Sequence, residues 1–381
     1  MSENKKLLFI VNHMDCFWTR RFPIAKKAAT PQEGWQVSVC ASGADADKEL
    51  LSYGFKGLGL PEPNRKRNIL SHLYVMFIML RVIYAQKPDL IHAMTLKYAF
   101  MTGLVCMFVP RVKVVHTIAG LGYLFSGEGF KPKLLRTLIA PFMKLALNNK
   151  RSFITFQNPD DMRILIDGGY VRADHSTLIK GSGIDLDEYA FTPEPDNDKP
   201  LVIMPTRLIH EKGIAVFIDA CNILSAQGIE ADFHIAGGGA PYNPREISTE
   251  QMHTILKGSS VKWLGHVDDI AALYRQCNLV VYPSYYGEGV PKVLLEAAAT
   301  GRAIITTDHA GCREAVEDGK SGILVPIKDA QATAEAMATL IQNATLRATM
   351  GKQARAFAVR EYDVNSVVER TLRVYDVAMQ S

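Results

Sequence analysis

Short aliphatic and β-branched runs alternate along this chain with longer stretches in which apolar residues recur at helical spacing. In the first half the runs are Leu7–Val11, Gln36–Cys40, Leu90–His92, Lys113–His116, Phe153–Phe156 and Ser176–Ile179, each followed by polar or glycine-bearing residues. Strands separated by helical stretches predict a parallel α/β sheet. Residues 192–200, Thr-Pro-Glu-Pro-Asp-Asn-Asp-Lys-Pro, break both periodicities, and the alternation restarts at Leu201–Met204. It continues through Asp232–Ala236, Val261–Leu264, Leu279–Tyr282, Ala303–Thr306 and Gly322–Val325, with helices from Asp329 onward. The pattern predicts two doubly wound parallel-sheet domains, 1–190 and 201–363, joined by a linker at 191–200. A last helix within 364–381 is expected to cross back to the first domain. Two such domains facing each other make a central cleft, and ligands of these folds bind beyond the carboxyl ends of the strands.

Length and composition agree with this division. The 381 residues are 48% hydrophobic and 22% charged, and no short repeat or low-complexity tract is present. The six cysteines, Cys16, Cys40, Cys106, Cys221, Cys277 and Cys312, form no C-x-x-C pair, and no leader-like stretch precedes Leu7–Val11. They read as reduced core residues of a cytoplasmic protein rather than as a disulfide framework or zinc site.

Charge is uneven: residues 1–190 carry 25 Lys/Arg against 16 Asp/Glu, and residues 191–381 carry 18 against 23. The basic half calls for an anionic partner. Its excess gathers at Arg65-Lys66-Arg67 and across Lys131, Lys133, Arg136, Lys144, Lys150 and Arg151, interleaved with Leu134, Leu135, Leu138, Ile139, Phe142, Met143 and Leu145. Such a helix can lie on an anionic membrane surface, and the same stripe would equally serve as the core-facing side of an ordinary amphipathic helix. The apolar run Asn68–Leu80 after the first basic cluster favours the membrane. Neither that run nor Tyr98–Pro110 reaches the ~20 apolar residues of a spanning helix, so peripheral attachment is expected. Nucleic acid is not an expected partner.

The densest chemistry lies at Tyr285–Ala297, where Glu288 and Glu296 stand eight residues apart around a predicted helix start. Pro291 suits the first helical position, and the amides behind it attract phosphate. Glu288 falls in the loop and Glu296 a turn and a half into the helix, so one can reach a hexose and the other a ribose. After Leu201–Met204, Arg207 and Lys212 put two cations at a strand end, suited to the charge of a departing nucleoside diphosphate, although a surface Arg–Glu–Lys cluster has the same spacing. His116 closes its strand before a loop holding Gly120 and Gly122, either as a packed side chain or as a sugar-contacting or proton-handling group. Lys180–Asp185 has the same strand-end form, with a simple turn as the alternative. Gly237-Gly238-Gly239 lacks G-x-G-x-x-G spacing and reads as a close-approach loop. Asp160-Asp161 and Asp268-Asp269 read as helix-start carboxylates, so no metal site and no cofactor is expected. Neither a nucleophile elbow nor a Walker loop is present.

These residues, from end to end, resemble the bacterial retaining glycosyltransferases of family 4, which have the GT-B fold of two Rossmann-like domains. The most specific pieces are Gly287–Arg302, Thr306–Glu314, Gly322–Pro326 and Trp263-Leu264-Gly265-His266. Gly120–Phe125, Gln157–Asp161 and Gly181–Asp185 are similar to the subgroup that extends undecaprenyl-diphosphate-linked sugars for O-antigen, capsule or glycoprotein glycans. The resemblance implies transfer of a hexose or N-acetylhexosamine, UDP-linked, to a lipid-diphosphate-linked acceptor, by a protein peripheral on the inner face of the cytoplasmic membrane. It implies Glu296 on the ribose, and Glu288 with Gly289, Val290, Pro291, Lys292 and Val293 on the donor. Arg207 and Lys212 would hold the diphosphate, Gly265 and His266 would complete the nucleotide site, and His116 would hold the donor sugar. His13, Phe17, Arg20, Arg21, Lys97, Gly120 and Gly122 would lie on the acceptor side. Where many relatives carry a Gly-Gly turn after the first strand, this chain reads Asn12–Arg21, and Arg20 stands where the subgroup often has histidine. A sugar-nucleotide 2-epimerase of the same fold, and a non-catalytic sugar-nucleotide-binding subunit, are the alternatives.

Overall fold

The computed structural model describes residues 5–61, 69–126, 129–240, 243 and 245–381, and of Tyr123, Ser126 and Lys131 the backbone only. The basic cluster Arg65-Lys66-Arg67 lies outside the described residues. The chain divides into two compact units, one of Met1–Gly183 with Val364–Ser381 and one of Ile184–Asp363.

Among the described residues the first unit holds seven strands: β1 (Lys5–His13), β2 (Trp35–Ser42), β3 (Lys56–Gly59), β4 (Leu90–Met94), β5 (Lys113–Ile118), β6 (Ser152–Phe156) and β7 (Ser176–Leu178). All pairings are parallel, in the order β3-β2-β1-β4-β5-β6-β7. Leu7 to Val11 are buried at every position, because helices cover both faces of the sheet and leave no solvent side to produce alternation. Strand β3, Lys-Gly-Leu-Gly, carries no β-branched residue, and the hydrophobic pattern does not announce it. A side chain at Gly57 would strike the Ala44 carbonyl, 1.8 Å from its Cβ position, so the edge strand is glycine-bearing by necessity. Strand β5 runs two residues further than expected, which places His116 inside it rather than at its end.

The second unit holds β8 (Leu201–Pro205), β9 (Asp232–Ala236), β10 (Lys262–Trp263), β11 (Leu279–Tyr282), β12 (Ala303–Thr307) and β13 (Gly322–Val325), all parallel, in the order β10-β9-β8-β11-β12-β13. In both sheets the order reverses at one point, between β1 and β4 and between β8 and β11, which is the doubly wound arrangement.

Two segments depart from a simple tandem. The helix Val364–Gln380 belongs to the first unit, where Val367, Val368, Leu372, Tyr375 and Ala378 join the core of β1 and β2. Tyr375 is bonded to His92 Nδ1 at 2.5 Å, His92 Nε2 to Thr117 Oγ1 at 2.7 Å, and Thr117 to Thr155 at 2.7 Å, so one buried polar chain ties the helix to three strands. The expected linker at 191–200 instead packs on the second unit, along with residues 184–190. Arg302 Nη2 donates to the Thr192 carbonyl at 2.8 Å, Arg347 Nε donates to Glu194 at 2.6 Å, and Asn278 Nδ2 donates to the same carboxylate at 2.8 Å. Prolines and charges that read as a solvated spacer are the fittings of a strap. Its Glu194–Arg347 pair is nearly buried, with side chains 13% and 5% exposed. Removing one partner of such a pair leaves the other charge enclosed. Glu194→Ala is therefore expected to destabilise the second unit by about 3 kcal/mol, measured as urea dependence of amide exchange in that unit; an unchanged value would mean that the pair does not hold the strap.

The first unit also carries an unusual surface. The helix Ile69–Gln86 is 18 residues long with Arg81 its one charge, and by length and composition alone it is enough to cross a membrane, which corrects the shorter run expected from the sequence. Val75, Met79 and Ile83 are nevertheless buried in the core over β1 and β4, so one face is committed to the unit. Ile69, Leu70, Leu73, Tyr74, Phe77 and Tyr84 are exposed. In the helix Phe130–Leu147 only Met143, Ala146 and Leu147 of the large-to-small apolar residues reach the core, while Leu134, Leu135, Leu138, Phe142 and Leu145 are exposed.

Candidate active site

Beyond the carboxyl end of β8 the chain passes Thr206 and exposed Arg207 into a single 3-10 turn, His210–Lys212. Gly213 follows with φ 83°, and a Cβ there would lie 2.1 Å from the Pro283 carbonyl oxygen. Only glycine lets this turn seat against the end of β11. Tyr285 N donates to the Glu211 carbonyl at 2.9 Å, joining the two strand-end loops. On the other side Gly311, φ 83°, touches the loop backbone so closely that a Cβ would stand 2.0 Å from the Gly289 carbonyl oxygen. The loop that carries Glu288 is thus clamped between two glycine contacts at the point where the sheet order reverses.

That packing brings Lys212, Tyr282 and Glu288 together. Lys212 Nζ donates to Tyr282 Oη at 2.6 Å and to Glu288 Oε1, and Tyr282 Oη donates to the same Oε1 at 2.9 Å. The ammonium also lies 5.3 Å from the Tyr282 ring centroid and 4.9 Å from that of Tyr286. Burial pulls the Lys212 pKa below the usual lysine range, and the charge and hydrogen bond of Glu288 pull it back up. Burial likewise holds the Tyr282 hydroxyl well above its ordinary range, followed by the Glu288 charge, so it stays protonated and able to donate. Cys312 stands behind the group, its thiol pushed up to about 12 by burial, and is inert.

Glu296 lies in the helix Lys292–Thr300. Pro291 sits one residue outside this helix, at the N-cap, with φ −62° and ψ 123°; the expected first-turn position is off by one. Val290 and Pro291 are buried and Lys292 and Val293 half-buried. Lys292 Nζ is 3.7 Å from Glu296 Oε1, and Tyr274 Oη donates at 3.0 Å to Oε2. Burial raises the Glu296 pKa, against Lys292 and the hydroxyls of Tyr274 and Tyr189. Elsewhere at the strand ends of this sheet, Gly237 N donates to the Gly265 carbonyl at 2.7 Å, which ties the loop after β9 to the loop after β10. His266 is exposed, its Nε2 3.3 Å from Asp268 Oδ1.

In the first unit the candidates scatter. His116 is wholly buried, neither ring nitrogen has a partner among the described residues, and burial pulls its pKa down to about 3. An enclosed neutral imidazole inside a strand is not presented to a sugar, and the strand-end residues are instead Ala119 to Gly122, with Gly120 at φ 106° and Gly122 at φ 57°. Phe17 is also a core residue, packed edge-on against Phe9 and Trp18, which removes it as a contact. His13 ends β1 half-buried, Arg20 is half-buried and Lys97 exposed. Arg21 is buried beside His92 and Tyr375, with Nε and Nη2 lacking a partner among the described residues. Asp160 and Asp161 do lie in the first turn of a helix, capped by Asn158, and Asp269 caps another.

The residues that pattern alone missed are the tyrosines. Tyr282 ends an apolar strand, Tyr274 lies in a helix and Tyr189 in the strap region, and each reads in the sequence as core. Their signal was available only as an aromatic with a hydroxyl next to a charged motif.

Comparison with known proteins identifies the family. Residues 6–158 match the glycosyl transferase 4-like family and residues 185–357 the glycosyl transferases group 1 family. The N,N'-diacetylbacillosaminyl-diphospho-undecaprenol alpha-1,3-N-acetylgalactosaminyltransferase of Campylobacter jejuni is 31% identical over 271 residues, 68% of this chain and 69% of its own. Among solved structures, sucrose-phosphate synthase of Thermosynechococcus elongatus superposes with a TM-score of 0.79 at 20% identity, covering 98% of both chains. Anabaena HepE in complex with UDP and glucose superposes with a TM-score of 0.75 at 20% identity, covering 98% of this chain and 99% of its own. Two family matches that together run from the first strand into the helices after β13, on two doubly wound sheets, identify the chain as a hexosyltransferase of the glycosyl transferases group 1, family-4-like kind, with the GT-B fold.

Proposed function

We propose that this enzyme transfers a hexose or N-acetylhexosamine from a UDP-sugar to a lipid-diphosphate-linked sugar, with retention of anomeric configuration. The observation that carries the donor half is the Lys212–Tyr282–Glu288 group at the reversal point of the second sheet, with Glu296 enclosed on the helix that follows the Glu288 loop. Glu296 accepts from the ribose hydroxyls and Glu288 from the hexose. Lys212 and Arg207 neutralise the diphosphate. The bond from the anomeric carbon to phosphate oxygen breaks, the acceptor hydroxyl oxygen bonds to that carbon from the same face, and its proton passes to the departing phosphate. No charge need be created on a side chain, so the protein's contribution is positioning and electrostatic stabilisation. The Campylobacter relative, whose name gives an undecaprenol diphosphate acceptor and an N-acetylgalactosaminyl donor group, supports the acceptor class.

The exposed apolar faces of Ile69–Gln86 and Phe130–Leu147 support attachment to an anionic membrane surface on the cytoplasmic side. Both helices belong to one unit, and Lys133 and Lys144 are exposed among the outward leucines. A cationic helix with its apolar residues turned out matches a lipid interface.

Three outcomes are expected. Purified enzyme offered a panel of UDP- and GDP-sugars should release nucleotide from one donor only when a lipid extract containing diphosphate-linked sugars is added. Glu288→Ala should lower that rate by roughly two orders of magnitude, and lipid-independent turnover would point to hydrolysis or epimerisation instead. Because burial raises the Glu296 pKa and the ribose contact needs the carboxylate, donor affinity should fall as pH drops through a value above the ordinary glutamate range. Calorimetric titration across pH checks this, and Glu296→Gln should abolish the inflection. Changing Lys131, Lys133 and Arg136 together to Gln should weaken sedimentation with anionic vesicles on the order of a hundredfold at low salt, at roughly 1 kcal/mol per charge; unaltered sedimentation would rule out that helix as the contact.

A further inference from the structure

The three-way contact among Lys212, Tyr282 and Glu288 contains one member for which neither the motif nor the proposed chemistry has a use. Tyr282 is the last residue of β11, on a strand whose four residues are all buried. A phenylalanine or leucine would fill that position as well, yet the hydroxyl is bonded on both sides, accepting from Lys212 at 2.6 Å and donating to Glu288 at 2.9 Å. A buried hydroxyl with both capacities used is costly to misplace and fixes its partners in return.

An ammonium carries three N–H donors and no acceptor. Two point at Tyr282 and Glu288, and the third has no partner among the described residues. The rings of Tyr282 and Tyr286 stand 5.3 and 4.9 Å from Nζ, so the ammonium cannot swing without leaving both aromatic faces. We infer that Tyr282 is a positioning residue of the donor site: its hydroxyl locks the Lys212 ammonium so that the remaining N–H serves a phosphate oxygen of a nucleoside diphosphate, and it holds Glu288 beside the same point. This rests on the donor-site assignment for Lys212 and Glu288.

The groups facing Lys212 are Tyr282 on β11, Tyr286 and Glu288 in the loop after it, Arg207 after β8, and Cys312. Among them Glu288 favours the charged ammonium and Arg207 disfavours it. The phenol adds a neutral acceptor that also favours the charged form, so Tyr282→Phe removes a stabilising bond while the ring, the burial and the other charges stay.

The test uses the full-length protein with lysine labelled for NMR, the Lys212 signal being assigned through Lys212→Arg, and UDP as the probe. In Tyr282→Phe the Lys212 titration in the unliganded protein should move to lower pH by about one unit, and UDP should bind about tenfold more weakly at neutral pH. The alkaline fall in UDP affinity should move down with the titration, whereas a merely structural role would lower affinity at all pH values alike. An unchanged Lys212 titration overturns the inference whatever the binding result. A shifted titration with unchanged UDP affinity overturns the donor-positioning role. Failure of the wild-type protein to bind UDP or GDP, with the titration still shifted, leaves the hold on Lys212 standing and overturns the donor-site assignment itself. Lys212→Ala, expected to lose UDP binding more completely than Tyr282→Phe, separates the positioning residue from the group that touches phosphate.

Discussion

Taking the Lys212 ammonium out of water is the constraint around which the second unit is arranged. An isolated buried charge costs several kcal/mol, and the cost is recovered only if its hydrogen bonds are made with good geometry. The strand-end turn before Gly213, the clamp at Gly311 and the tyrosine at the end of β11 all serve that condition. Each is a backbone or packing feature, and each is set before a ligand arrives. A site built this way pays its reorganisation during folding rather than during reaction, which is the physical content of electrostatic preorganisation.

The first unit meets a different demand. Its core is finished by the last helix of the chain, with Tyr375 reaching His92 and, through it, Thr117 and Thr155. Burial holds the His92 pKa far below the usual histidine range, with the charge of Arg21 acting in the same sense, so the imidazole is neutral and can accept on one nitrogen while donating on the other. The unit therefore cannot close its core until residues 364–380 have been made. Meanwhile two of its helices leave large apolar side chains outside any core. A unit that leaves this much leucine and phenylalanine exposed on two helices has a surface suited to something other than water.

Much of the fold was legible because parallel sheets covered on both faces give continuous apolar runs, and because such runs alternate with helical stretches. What escaped did so for identifiable reasons. Strand β3 is written in glycine and lysine, so no run marks it. Residues 192–200 carry every mark of a spacer, but Glu194 and Thr192 are held by Arg347 and Arg302 from far along the chain, and long-range pairing leaves no local trace. Of the candidate site, Arg207, Lys212, Glu288 and Glu296 were picked out by residue type and spacing, and the contact between Lys212 and Glu288 is the part that the structure adds. His116 and Phe17 were misplaced because a one-dimensional pattern cannot say where a strand stops or which way a ring turns. The tyrosines were invisible because their apolar bodies satisfy the pattern and only the hydroxyl has another purpose.

The two glutamates of the motif show how spacing conceals division of labour. They stand eight residues apart, yet Glu288 faces an ammonium and a phenol while Glu296 lies among two tyrosine hydroxyls at the edge of Lys292's reach. A carboxylate whose oxygen accepts both a charged and a neutral donor has its electron pairs engaged by strong hydrogen bonds, which weakens it as a nucleophile. Glu288 is thus better suited to fixing hydroxyls than to forming a bond to an anomeric carbon. Glu296 is enclosed on a helix and pinned by Tyr274, too constrained to approach a reacting centre. With neither carboxylate disposed to attack, the proposed same-face transfer, in which cations stabilise the leaving diphosphate, asks no bond-forming role of either.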